Sequence, residues 1–146
     1  MKIYDCFMFS DENLLLDLRL NYLNYFVDKF IIVEAAYLHN GDSKKLNFDI
    51  NNFKKFKDKI EYIIVKDHPP KIIPFEKNDS EIKKSEKKII NSIMRDNFQR
   101  EQLIKGLNHL DAEDLIILSD LDEIPNLNKL NVDEINNEIV IFKQKM

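Results

Sequence analysis

Apolar residues fall along this chain in short continuous blocks separated by stretches of helical spacing. Residues 2–9 carry Ile3, Tyr4, Cys6, Phe7, Met8 and Phe9, and Lys29–Ala35 carries Phe30-Ile31-Ile32-Val33. Ile60–Val65 and Leu115–Leu118 repeat the pattern. Short apolar runs bounded by polar residues predict parallel strands buried on both faces. Between the first two blocks, Leu15, Leu18, Tyr22, Leu23 and Phe26 fall at helical spacing, which predicts a helix over 12–26 with that face on the sheet. Ser10 and Asp11 precede it as candidate caps. Residues 51–58 suggest a short helical piece holding Phe53 and Phe56. A long helical region over 81–110 presents Ile89, Ile93, Phe98, Leu103, Ile104 and Leu107 as its buried positions, with Gly106 and Asn108 at a frayed end. Residues 126–137 read as a polar connection, and 138–143, with Ile139-Val140-Ile141-Phe142, read as a fifth strand. Strands alternating with helices define an α/β fold with a mostly parallel sheet flanked by helices. A strand so near the terminus, with no helix after it, suggests a single domain truncated on its C-terminal side.

The fourth block ends abruptly in Ser119-Asp120-Leu121-Asp122-Glu123-Ile124-Pro125. Pro125 disfavours the helical region at Ile124, so a loop follows the strand. Ligands of open α/β sheets bind at the carboxyl ends of strands, where these acids stand. Three carboxylates so close repel one another, and a hard divalent cation such as Mg²⁺ or Mn²⁺ relieves that repulsion. In an extended segment Asp120 and Asp122 point the same way, with Leu121 turned into the core. The competing reading is a solvated acidic turn. Glu34 also closes a strand and so occupies a ligand position. His39 reads as a loop residue beside the Asn40-Gly41 turn. Arg19 reads as a solvated cation or as the partner of a buried acid. Arg95 to Arg100 is dense in groups suited to an anion; Arg100 can reach a diphosphate, while Arg95 need not share its face. Lys83, Lys84, Lys87 and Lys88, interleaved with Glu81 and Glu86, read as a solvated helical face.

Composition narrows the choice. The 146 residues are 44% hydrophobic and 33% charged, enough for a packed core. A net charge of −4 gives no reason to expect nucleic acid as a partner. The single cysteine, Cys6, sits in an apolar run and reads as a small core residue rather than half of a disulfide. No leader or membrane span is evident, and a cytoplasmic location is the default expectation. With two glycines in the chain, neither a dinucleotide fingerprint nor a P-loop can be written. A bound nucleotide must therefore have its phosphates held by side chains and metal.

Taken in order, Asp5 to Phe9, Glu12 with Leu18-Arg19-Leu20, Val27 to Ala35, His39-Asn40-Gly41, Arg95 to Arg100 and Ser119 to Pro125 resemble glycosyltransferase family 17. That family includes the β-1,4-mannosyl-glycoprotein 4-β-N-acetylglucosaminyltransferases of protein glycosylation. The resemblance implies a GT-A-like (Rossmann-like) fold, a UDP-sugar donor, a glycan acceptor and a divalent metal (Mn²⁺ or Mg²⁺). By position it makes Asp120 and Asp122 the Asp-x-Asp (DxD) acids. Asp122 is then the direct metal ligand, and Asp120 serves the ribose or a metal-bound water. It places Glu34 on the nucleotide side of the sheet and Arg100 near the diphosphate. It names no catalytic base. The family's members continue past the point where this chain ends. Two alternatives stand beside the transferase: a non-catalytic nucleotide-binding remnant, and a metal-dependent nucleotidyl or phosphoryl transferase. The second is disfavoured by the missing Gly-rich loop and by the position of the paired aspartates after about the fourth strand.

Overall fold

In a computed structural model, which describes residues 1–131, 135 and 139–143, the chain forms one parallel sheet flanked by helices. Strands β1 (Ile3–Met8), β2 (Lys29–Ala35), β3 (Ile60–Val65) and β4 (Leu115–Leu118) pair in the order β3-β2-β1-β4. All three pairings are parallel, with Cys6 beside Ile31 on one side and Leu118 on the other. The expected α/β architecture is therefore present.

Both faces of the central strands are covered, which explains their unbroken apolar runs. One face carries Phe7, Phe30, Ile32 and Ile117 against helix α1 (Asn13–Leu23), with Leu16, Leu20 and Leu23 buried there. Tyr4, Cys6, Ile31 and Val33 fill the other face, against Leu103 and Phe98. Those two come from helix α2 (Glu81–Glu101) and the 3₁₀ helix Gln102–Leu107 that continues it. Gly106 belongs to this interface rather than to a frayed end. A Cβ there would meet Ile31 Cγ2 at 2.5 Å, so the bare backbone lets the 3₁₀ turn sit directly on β2.

Several expectations need correction. The buried face of α1 is Leu16, Arg19, Leu20 and Leu23; of the expected stripe Leu15, Leu18, Tyr22, Leu23 and Phe26, Leu23 is buried as expected, whereas Leu18 is 54% exposed and Tyr22 is exposed as well. Ile89, Ile93 and Ile104 are likewise exposed, while Lys87 and Asn91 are buried on α2. The reason lies in the loop 66–80, which α2 clamps with polar groups. Asn91 Oδ1 accepts from the Ile73 amide at 2.8 Å, and its Nδ2 donates to the Ile73 carbonyl at 2.9 Å. Lys87 donates to Asp79 at 2.6 Å and to the Pro74 carbonyl at 3.0 Å. Lys87 is thus a buried tether and not part of a solvated face. The expected fifth strand falls partly outside the described residues; residues 139–143 are exposed and form no strand. Among the described residues, no helix is long and apolar enough to cross a membrane.

The Lys87 tether carries a pH signature. Its ammonium, with the Glu76 amide, holds the Asp79 carboxyl down to about 2 from an ordinary 3.8. A depressed folded value means that the ionised form stabilises the fold above 3.8 and that this contribution disappears as pH falls toward 2. Urea unfolding measured across that acid window should show a loss of stability that Asp79→Asn reduces. An identical acid profile in the variant would refute the tether.

Candidate functional site

The strand order places a topological switch between β1 and β4, because the chain leaves β1 toward β2 on one side and returns to β4 on the other. Crevices at such switch points are where open α/β sheets take their ligands. A cleft of about 420 Å³ opens there. Its walls come from the segment after β1 (Phe9, Ser10, Glu12), the loop after β2 (Tyr37, His39, Lys44), one side of α2 (Arg95, Asp96, Gln99, Arg100) and the loop after β4 (Asp120, Leu121, Asp122). Asp120, Asp122 and Arg100, all expected at the site, meet in this cleft. Arg95 lines it as well, so the two arginines of α2 do share the site.

The floor beneath the acidic loop is Arg19, which is fully buried and not a solvated cation. Its Nε and Nη2 donate to the two oxygens of Asp5 at 2.9 and 2.7 Å. Nη2 also reaches Ser119 Oγ at 2.7 Å, and Nη1 reaches the carbonyls of Asp120 at 2.7 Å, Leu121 at 3.1 Å and Glu123 at 3.3 Å. The guanidinium lies 4.7 Å from the centre of the Phe7 ring. One side chain of α1 thus fixes β1 and the whole turn after β4. Burial pushes the Asp5 carboxyl up while Arg19 pulls it down, and burial with the nearby Asp5 charge pushes the Cys6 thiol up to about 12. Cys6 is accordingly a buried thiol without nucleophilic character. The signal for this arrangement was Asp5 itself, an acid in the middle of an apolar strand, which demands a cation.

With its carbonyls drawn inward, the loop forms a tight turn in which the Glu123 amide donates to the Asp120 carbonyl at 3.0 Å. The extended geometry expected for Asp-x-Asp is replaced by this turn, though Leu121 is buried as expected. Asp120 Oδ1 accepts from Arg100 Nη2 at 3.0 Å, and Glu123 folds back to accept from the Asp120 amide at 3.2 Å. Asp122 is exposed, and among the described residues no group partners its carboxylate. No three His, Cys, Asp or Glu side chains converge among the described residues. A hard divalent ion can nevertheless be held by one or two carboxylates with waters and substrate phosphate oxygens, and Asp122 with Asp120 meets that requirement. Glu12 is partly spent, since its Oε2 accepts from the amides of Ser10 and Asp11.

Glu34 lies outside the cleft wall. Its buried carboxylate accepts from Lys44 Nζ and from the Asn47 amide at 2.8 Å, and from the Phe48 amide at 3.1 Å and the Tyr62 hydroxyl at 2.7 Å. Burial, and after it the bond to Glu34, push the Tyr62 hydroxyl well up. Glu34 therefore organises the loop that brings Lys44 to the cleft. Sequence reasoning missed Lys44 and Tyr37 as wall residues, because nothing local marks a loop residue that folding returns to the site, whereas Gln99 lies in the Arg95 to Arg100 segment expected to meet an anion. His39 lines the cleft and accepts through its carbonyl from Arg95 Nη1 at 3.0 Å.

The family model described as Glycosyltransferase family 17 matches residues 1–141 of the chain. No curated protein and no solved structure matches it.

Two outcomes follow from these buried charges. Arg19→Met leaves Asp5 uncompensated in the interior and should lower unfolding free energy by about 3–5 kcal/mol in urea titration; a near-neutral change would contradict the role given to Arg19. Glu34→Gln sets an amide donor against the donors around Glu34 and should cost about 1.5–3 kcal/mol in the same assay.

Proposed function

Because the chain belongs to glycosyltransferase family 17, we propose that it moves N-acetylglucosamine from a UDP-sugar to a glycan hydroxyl in the cleft between β1 and β4. The observation that carries this reading is the meeting of Asp120, Asp122 and Arg100 at the switch point of a parallel sheet. Departure of a nucleoside diphosphate builds negative charge on its phosphate oxygens, and preorganised cationic groups lower the barrier by meeting that charge. A divalent metal held by Asp122 and Asp120 would supply Lewis-acid stabilisation there.

The chain's own residues do the rest. Arg100, fixed by Asp120 on one side and 3.7 Å from Asp96 on the other, presents its charge to the diphosphate without having to be ordered at the moment of reaction. Arg19 holds the turn so that Asp122 faces the cleft. Leu121 and Phe9, buried beneath it, give the site an apolar floor that excludes water. The acceptor hydroxyl must give up a proton to a base; Glu123 is engaged with the Asp120 amide, and no base is assigned. Family membership supports glycosyl transfer over nucleotidyl or phosphoryl transfer by the same paired aspartates.

Calorimetric titration of UDP-N-acetylglucosamine with and without Mn²⁺ tests the reading. The wild-type chain should bind in a metal-dependent way, and Asp122→Ala should weaken that binding by about tenfold or more, a loss of at least ~1.4 kcal/mol, with an unchanged circular dichroism spectrum. Donor affinity retained in Asp122→Ala would remove Asp122 from the site.

A further inference from the structure

We infer that Arg95 and Tyr37 form a second subsite in this cleft, one that receives an anionic oxygen group of a ligand, either phosphate or carboxylate. Only the identity of the ligand rests on the glycosyl-transfer reading.

Three cationic side chains, Lys44, Arg95 and Arg100, line the cleft. Two of them are ion-paired within the protein, Lys44 with Glu34 and Arg100 with Asp120. Among the described residues, Arg95 has no carboxylate within ion-pair distance. It donates from Nη1 to a neutral carbonyl, that of His39 at 3.0 Å, and its Nε is buried with no acceptor. Of the acids nearby, Asp96 faces Arg100 and Asp42 is bound to the Asn40 side chain, while Asp67, whose charge adds to the burial that pushes the Tyr37 hydroxyl up, forms no ion pair with Arg95. The residue as a whole is half-buried and faces the cleft, so its charge is reachable.

An independent observation points the same way. Tyr37, 5% exposed and also in the cleft wall, has a buried hydroxyl with no hydrogen-bond partner. Buried donors are nearly always satisfied, so an orphan hydroxyl close to a guanidinium whose own Nε is orphaned marks a place where an acceptor is missing. A phosphate or carboxylate supplies charge for Arg95 and lone pairs for both donors, whereas a neutral sugar hydroxyl supplies no charge. The guanidinium is held in place by Gly41, at φ +97°, where an added Cβ would lie 2.6 Å from Arg95 Nη2 and 2.8 Å from Cζ. Arg95 precedes Arg100 by five residues on α2, a separation of about 7.5 Å along the axis. The two arginines therefore address different groups.

The test titrates inorganic pyrophosphate, UDP and glucuronate separately into the full chain and into Arg95→Gln and Gly41→Ala. At least one probe should bind the wild type in a salt-sensitive way and lose about tenfold or more in Arg95→Gln. Gly41→Ala keeps the charge but displaces it, and should weaken the same probe. Loss of pyrophosphate and UDP binding assigns the subsite to the donor's phosphates; loss of glucuronate binding alone assigns it to an acidic group on the acceptor. Arg95→Lys, which keeps the charge without the planar fork, gives the reading if Arg95→Gln does not fold. The subsite is overturned if the wild type binds none of the probes, or if a folded Arg95 variant binds all of them equally well. A wild type that takes pyrophosphate through Arg95 but neither UDP nor UDP-N-acetylglucosamine would instead sink the glycosyl-transfer reading and leave the subsite standing.

Discussion

The buried pair of Arg19 and Asp5 is the contact on which the site depends. Asp5 lies in the middle of β1, the strand that pairs with both β2 and β4, and no water reaches it. An isolated carboxylate there would be strongly penalised. The guanidinium that compensates it comes from α1 and has donors left over, and these reach Ser119 Oγ and the carbonyls of Asp120, Leu121 and Glu123. A hydrophobic pair at the same positions could pack β1 against α1 equally well. It could not turn the peptide carbonyls after β4 inward. The polar pair therefore specifies the shape of the acidic turn, and its energetic cost is tied to the site rather than to the core.

That shape also explains how three acids coexist. Glu123 bends onto the Asp120 amide, Asp120 meets Arg100, and the positive charge of Arg19 lies directly under the turn. Only Asp122 is left without a partner among the described residues. The repulsion that the sequence implied is divided among separate donors, which leaves one carboxylate to face an incoming cation.

The strands were readable from their short apolar runs, and β2, β3 and β4 have the expected bounds; burial on both faces holds for the central β1 and β2, whereas the edge strands β3 and β4, expected to be buried likewise, leave Ile64, Ile116 and Leu118 exposed. Asp120 and Asp122 were readable for a related reason, since polar groups that follow such runs lie at the sheet's carboxyl edge, while Arg100, on α2, was marked by the density of anion-suited groups over residues 95–100 and by the family resemblance. Helix faces were harder. On α1 Leu23 was read correctly, but the choice between Leu15-Leu18-Tyr22 and Leu16-Leu20 beside it turns on a single position, and the residue that decides it, Arg19, is one whose type ordinarily belongs outside. On α2 the isoleucines argued for burial, yet the partner of that helix is the irregular loop 66–80, whose unpaired backbone groups needed Lys87 and Asn91. Loop contributions such as Lys44 and Tyr37 leave no local mark, because their place in the cleft is set by Glu34 and by the turn at Gly41.

Scarcity of glycine ties these points together. A backbone cradle for phosphates needs successive residues without Cβ atoms, and this chain has its two glycines far apart. Gly106 is used to seat a turn against Ile31, and Gly41 to seat the guanidinium of Arg95. Recognition of anionic groups in the cleft must then fall to side chains, and each charged side chain needs something to hold it still. Glu34 holds Lys44, Asp120 holds Arg100, and the Gly41 turn holds Arg95. Two of these supports are themselves anions that offset the charge they position, whereas the third is neutral backbone. Among the described residues, Arg95 is therefore the one arginine or lysine of the cleft that no carboxylate pairs.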